Sequence, residues 1–407
     1  MDIKANKDKS EILSKTICLL IVILVMLTSC CLNSAKKDNQ EINNNTINPI
    51  ESEIQMDSSE LKVQNIIEKM SLSDMVYQMM FVTPESITGV GVVTEAGNQT
   101  KSALNKYPVG GIIYFDYNFI SRKQTANMLS KVQEYSKIPL FVGVDEEGGR
   151  VARLGEKPEM GTTHLPPMLQ IGQSGDVQKA YEAGVTLSND LSALGFNVNF
   201  APDADVIINP NNTEIGDRSF GSDPNLVAAM VSKIVEGLQS GGVSATLKHF
   251  PGHGSTYRNS HSGYSESTRT IEELRSNEFL PFRAGMDAGT DFIMISHMTL
   301  VNATKEKVPS SVSKEVITDM LKTELGYTGI IITDSFAMGA VTDMYSTGKA
   351  AVKAIQAGVD MILMPPDVEG ACDAIINAVE TGEIQKERIE ESVKKILSLK
   401  IKKGMIQ

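Results

Sequence analysis

The chain has 407 residues, 41% of them hydrophobic and 22% charged, the balance of a globular protein. Fifty Asp and Glu face 38 Lys and Arg, a net charge of −12. That excludes nucleic acid as a partner, because a phosphate backbone calls for clustered basic residues.

The first 30 residues read as a targeting segment. Lys4, Lys7, Lys9 and Lys15 precede the apolar run Ile17 to Leu27. The run is shorter than the roughly 20 residues a spanning helix needs. It ends in Leu27-Thr28-Ser29-Cys30, which resembles a bacterial lipoprotein processing site with Cys30 as the lipidated residue. That places the body outside the cytoplasmic membrane, tied to it by a lipid anchor. Residues 31–55 are polar and Asn-rich and read as a disordered tether. The folded domain is expected over 56–407, opening with a helix capped near Asp57-Ser58-Ser59. Of four cysteines, Cys18, Cys30 and Cys31 lie in the leader. Only Cys372 lies in the body, so no disulfide forms within it.

Eight apolar, strand-like runs follow in order: Val76–Val82, Gly111–Phe115, Leu140–Val144, Val198–Ala201, Ala245–His249, Phe292–Ser296, Ile330–Thr333 and Met361–Met364. Helical patterns lie between them, among them Leu226–Gln239, Ile271–Ala288, Lys314–Leu325 and Gly348–Ala357. A closing helix is expected near Lys386–Lys400. Eight alternating units predict a (β/α)8 TIM-type barrel. A doubly wound sheet is the competitor, but no Gly-rich nucleotide turn follows the first strand.

Chemistry-bearing residues sit just past the predicted strand ends, where barrel enzymes place their sites. Asp145 follows the third strand and Asp203 the fourth. Lys248-His249 closes the fifth, His297 follows the sixth and Asp334 the seventh. The densest stretch is Lys248-His249-Phe250-Pro251-Gly252-His253-Gly254-Ser255-Thr256, closing at Asn259-Ser260-His261. A zinc site from His249, His253 and His261 is disfavoured, because Pro251 and Gly252 forbid the helix that the first two would need.

That stretch resembles the sugar-binding and acid/base loop of family 3 glycoside hydrolases, in the β-N-acetylglucosaminidase branch. Four further segments agree in order: Val144–Val151, Gly216–Gly221, Pro281-Phe282 with Met294–His297, and Thr333–Ala340. The resemblance implies a retaining exo-β-N-acetylglucosaminidase acting on peptidoglycan fragments or related β-glycosides, without a cofactor and without the family's second domain. It makes Asp334 the nucleophile and His261 the acid/base. It assigns Asp145, Arg153, Arg218, Lys248 and His249 to sugar binding, with His297 and Met338 lining the site. Glu146, Glu147 and Arg150 read as structural supports, and His253 as a loop-shaping residue. Trp is absent, so the sugar has to be held by charged and hydrogen-bonding groups rather than aromatic platforms.

The chain departs from the family pattern at Asn259, where an aspartate usually forms a dyad with the acid/base histidine. Asparagine can orient an imidazole but adds no charge. Two other readings therefore stay open. One is a sugar-binding lipoprotein with a weakened site. The other is a phosphorylase or β-glucosidase on the same barrel.

Overall fold

The computed structural model describes residues 58–256 and 265–407. Asn259 and His261 lie outside the described residues, as do the leader, Cys30 and the tether. Among the described residues, no helix is long and apolar enough to cross a membrane.

Eight parallel strands form the barrel: β1 (Met80–Val82), β2 (Gly111–Ile113), β3 (Phe141–Val144), β4 (Val198–Asn199), β5 (Ser244–Phe250), β6 (Phe292–Ile295), β7 (Ile330–Thr333) and β8 (Ile362–Leu363). From β1 to β7 each pairs with the next in sequence. β8 pairs back onto β1 through Met80↔Ile362, and an Ile332↔Met361 bridge joins β7 to the residue before β8, so the ring closes. All eight predicted strands appear, mostly shorter than drawn.

Two expectations needed correction. Residues 76–78 belong to the helix Leu72–Gln78, not to the first strand. Ser71 and Asp74 form a capping box that starts this helix, and local capping outweighs the β-prone Val76-Tyr77 pair. The single helix expected over Ile271–Ala288 is two, Ile271–Ser276 and Phe279–Asp287. Pro281 has no N–H to return to the carbonyl of Asn277, so the first helix stops there.

Aromatic rings fill the barrel. Phe81 and Phe200 meet edge to face at 5.1 Å, and Phe141 and Phe292 at 5.3 Å. Glycines on the neighbouring strands make room. A Cβ on Gly111 would fall 2.6 Å from the Phe81 ring, and one on Gly143 would fall 2.7 Å from the Phe200 ring. The helix Lys386–Lys402 closes the N-terminal end of the barrel and sends Lys400 into the core.

Candidate active site

The C-terminal ends of the strands surround a cavity of about 730 Å³. One half of its wall is charged: Asp145 after β3, Glu147 in the short hairpin that follows, Arg153 behind that hairpin, Arg218 in the turn Gly216–Arg218, and Lys248 and His249 in β5. The other half is apolar, with Phe115, Met294, Met338, Leu363 and Met364. Asp334, just past β7, also lines the cavity. The structure thus gathers Asp145, Arg153, Arg218, Lys248, His249, Asp334 and Met338 into one pocket.

His297 differs from the expectation. It is buried and is not part of the described lining of the pocket. Its Nε2 lies 2.8 Å from the Ser335 carbonyl and its Nδ1 2.8 Å from the Ser311 hydroxyl. It therefore supports the strand end that carries Asp334 from behind. Asp334 is fixed on that end by its own N–H, which donates to the Ile295 carbonyl at 2.8 Å. Its Oδ1 accepts the Ser335 N–H at 2.7 Å.

Glu147 is the hub of the charged wall. Arg218 grips it in bidentate fashion, with Nε 2.8 Å from Oε2 and NH2 2.9 Å from Oε1. Lys248 Nζ lies 2.6 Å from Glu147 Oε1 and 2.7 Å from Asp145 Oδ1. Arg153 NH2 approaches Asp145 Oδ2 to 4.0 Å. Burial raises the Glu147 carboxyl, but Arg218 and Lys248 outweigh it and hold the group far below the usual carboxylate range. Burial likewise pulls Lys248 down, yet Asp145 and Glu147 leave it firmly protonated.

Much of this bonding capacity is already used within the protein. Lys248 spends two of its three donors on Asp145 and Glu147, which leaves one for a ligand. Arg218 spends four of its five: two on Glu147, one on the Glu214 carbonyl and one toward His249 Nε2. Both cations are thereby aimed and kept rigid, which suits recognition of a fixed pattern of hydroxyls.

His249 is locked from both sides. Its Nδ1 lies 2.8 Å from Asp205 Oδ2 and its Nε2 3.2 Å from Arg218 NH2. A guanidinium can only donate, so Nε2 accepts and the proton sits on Nδ1. Asp205 also accepts the backbone N–H of His253, and its carbonyl accepts the Ser219 hydroxyl at 2.6 Å. One buried residue thus ties together the loop after β4, the loop after β5 and, through its backbone carbonyl, the neighbour of Arg218. His253 is buried in its own short turn, with Nδ1 3.0 Å from the Thr256 hydroxyl and Nε2 4.0 Å from Glu214. Burial holds its imidazole below the usual value. The loop packs so closely that a Cβ on Gly254 would fall 1.9 Å from the Val206 carbonyl oxygen.

Asp203, Asp205 and His249 offer three ligand atoms within 4.8 Å of one another. Their bonding does not suit a cation. His249 Nδ1 already donates to Asp205, and the Arg218 guanidinium lies 3.6 Å from Asp203.

Sequence reasoning took Glu147 for a structural support and singled out neither Asp205 nor Glu214, which also lines the pocket. Glu147 lies within the matched segment Val144–Val151, two residues past Asp145, and only the fold shows that its side chain joins Arg218 and Lys248. Asp205 is fully buried behind β4, and nothing in its sequence neighbourhood marks it out.

A closed parallel barrel with a rigid, charged pocket at its strand ends is the architecture of an enzyme. Residues 71–399 match the glycosyl hydrolase family 3 N terminal domain. A beta-hexosaminidase of Xylella fastidiosa is 34% identical over 295 residues, covering 70% of this chain and 86% of that protein. Beta-hexosaminidase A of Pseudoalteromonas piscicida is 31% identical over 328 residues, covering 74% of this chain and 54% of that protein. Among solved structures, a family 3 β-N-acetylglucosaminidase from Paenibacillus sp. FPU-7 superposes with a TM-score of 0.77 at 37% identity. That match covers 82% of this chain and 63% of the other. The chain therefore spans about half of the Pseudoalteromonas protein. It belongs to glycosyl hydrolase family 3.

Proposed function

We propose that this chain is a retaining exo-β-N-acetylglucosaminidase. The observation that carries the reading is that Asp334 lines the same pocket as the Asp145–Lys248–Glu147–Arg218 network. The network supplies donors and acceptors for the far hydroxyls of a pyranose, and Asp334 supplies a carboxylate for C1. The names of the Xylella, Pseudoalteromonas and Paenibacillus relatives support the choice of sugar.

In this mechanism an Asp334 oxygen attacks C1 from below as the glycosidic bond breaks. The leaving oxygen takes a proton from the His261 imidazole, which suits a group with a pKa near neutral. A covalent glycosyl ester on Asp334 results. Water, deprotonated by the same imidazole, attacks C1 from above and releases the sugar with its configuration retained. Arg218, Lys248 and Asp145 orient the ring, while Glu147 holds the two cations in place. We further propose that the protein is lipidated on Cys30, works outside the cytoplasmic membrane and takes terminal N-acetylglucosamine from peptidoglycan fragments. The proposed anchor fits a role beside the cell wall.

The test is turnover of nitrophenyl β-N-acetylglucosaminide and β-glucoside by the purified protein, with and without phosphate. The reading predicts phosphate-independent hydrolysis of the first substrate. Turnover confined to the glucoside, or strictly dependent on phosphate, overturns it. Sugar binding without any turnover favours the binding-protein reading.

A further inference from the structure

Asp203 follows β4 and is fully buried. Its Oδ1 accepts the Asp205 N–H at 2.9 Å. Its Oδ2 is buried and has no hydrogen-bond partner among the described residues. The basic groups within 4.0 Å of that oxygen are Arg218 Nε at 3.6 Å and His249 Nδ1 at 3.9 Å, and both are already committed elsewhere. A buried carboxylate oxygen left without a donor is costly. Every element around it supplies a charged or titratable group. Asp205 comes from the same loop, Arg218 from its turn, Lys248 and His249 from β5, and Glu147 from the hairpin after β3. Burial and the Asp205 charge push the Asp203 carboxyl up to about 8, against the pull of Arg218 and His249.

We propose that Asp203 is a positioning residue: while its carboxyl is neutral, Arg218 and His249 keep their sugar-binding arrangement, and when it ionises they lose it. This role for Asp203 rests on Arg218 and His249 being sugar-binding residues. An ionised Asp203 competes with Glu147 for the Arg218 Nε–H. Rotation of the guanidinium toward Asp203 draws NH2 away from its 3.2 Å contact with His249 Nε2, so both side chains shift. Asp203 touches neither C1 nor the leaving oxygen, so the effect falls on binding and leaves bond cleavage alone.

The experiment is calorimetric titration of the full protein with N-acetylglucosamine from pH 6 to 9.5, for wild type and Asp203→Asn. The KM and kcat of a nitrophenyl glycoside are followed in parallel. Wild-type affinity is expected to fall about tenfold across the range, with KM rising to match. Asparagine keeps the shape but cannot ionise, so the affinity of the variant stays level with pH. Asp203→Ser removes the same charge and serves if the asparagine variant does not fold. Measurable wild-type affinity that is flat with pH overturns the proposal, as does a variant that loses affinity in step with wild type. Absence of N-acetylglucosamine binding at every pH overturns the underlying sugar reading, and this proposal with it.

Discussion

Lys400 is a charged residue type placed inside the core. It is fully buried at the foot of the barrel, its Nζ bonded to Gln78 Oε1 at 2.9 Å and lying 5.0 Å from the centre of the Phe141 ring. Burial pulls its pKa from 10.5 to about 7. That gap corresponds to roughly 5 kcal/mol of stability withheld from the folded state once the amine must be charged. The sign follows from the direction of the shift. Above pH 10.5 the amine is neutral in both states and nothing is lost. Between 10.5 and about 7 the unfolded chain binds a proton that the folded one does not, so stability falls as pH falls. Below 7 the full penalty applies. Lys400→Met removes it but leaves Gln78 Oε1 without its donor, at a cost of about 1–3 kcal/mol. The variant should be more stable than wild type by roughly 2–4 kcal/mol at pH 6, and less stable by about 1–3 kcal/mol above pH 10.5. Urea unfolding at several pH values measures the difference. A difference that does not change with pH, or that grows in the opposite direction, refutes the reasoning.

Glu147→Gln strands two buried cations, so unfolding should become easier by about 3 kcal/mol and kcat/KM should fall with a raised KM. Urea titration and steady-state kinetics check both. Asn259→Asp should raise the hydrolytic rate and move the alkaline limb of the pH–rate profile upward, because a carboxylate beside His261 favours the charged imidazole. The gain should be largest for poor leaving groups, and an unchanged rate and profile count against contact between the two positions. Cys30→Ser should leave the protein unprocessed or released from membranes, since firm anchoring takes more than one acyl chain. Partition into detergent identical to wild type rules Cys30 out as the lipid site.

The barrel was legible because its strands are buried on both faces and read as apolar runs. Ile330–Thr333 needed no adjustment. What failed was local. Val76 and Tyr77 look β-prone, yet the Ser71–Asp74 capping box decides their conformation. The site was legible where a residue sits at the end of such a run, as Asp145, Lys248 and Asp334 do. It was illegible where function depends on which way a side chain turns. Glu147 reads like its neighbour Glu146, yet Glu146 accepts the backbone N–H groups of Leu154 and Gly155 while Glu147 joins two cations. Asp203 and Asp205 lie two residues apart after the same strand. Only the packing shows that one carries the His249 hydrogen bond and the other an unpaired oxygen.

The central claim is that Asp334 attacks C1 and carries the sugar covalently. The direct test is to trap the intermediate with a fluorinated sugar that slows its breakdown, digest the protein and locate the label by mass spectrometry. The mechanism predicts one sugar per chain, esterified to Asp334, and no label on Asp334→Ala. A label on another carboxylate contradicts the assignment, and release of product with inverted configuration contradicts the mechanism itself.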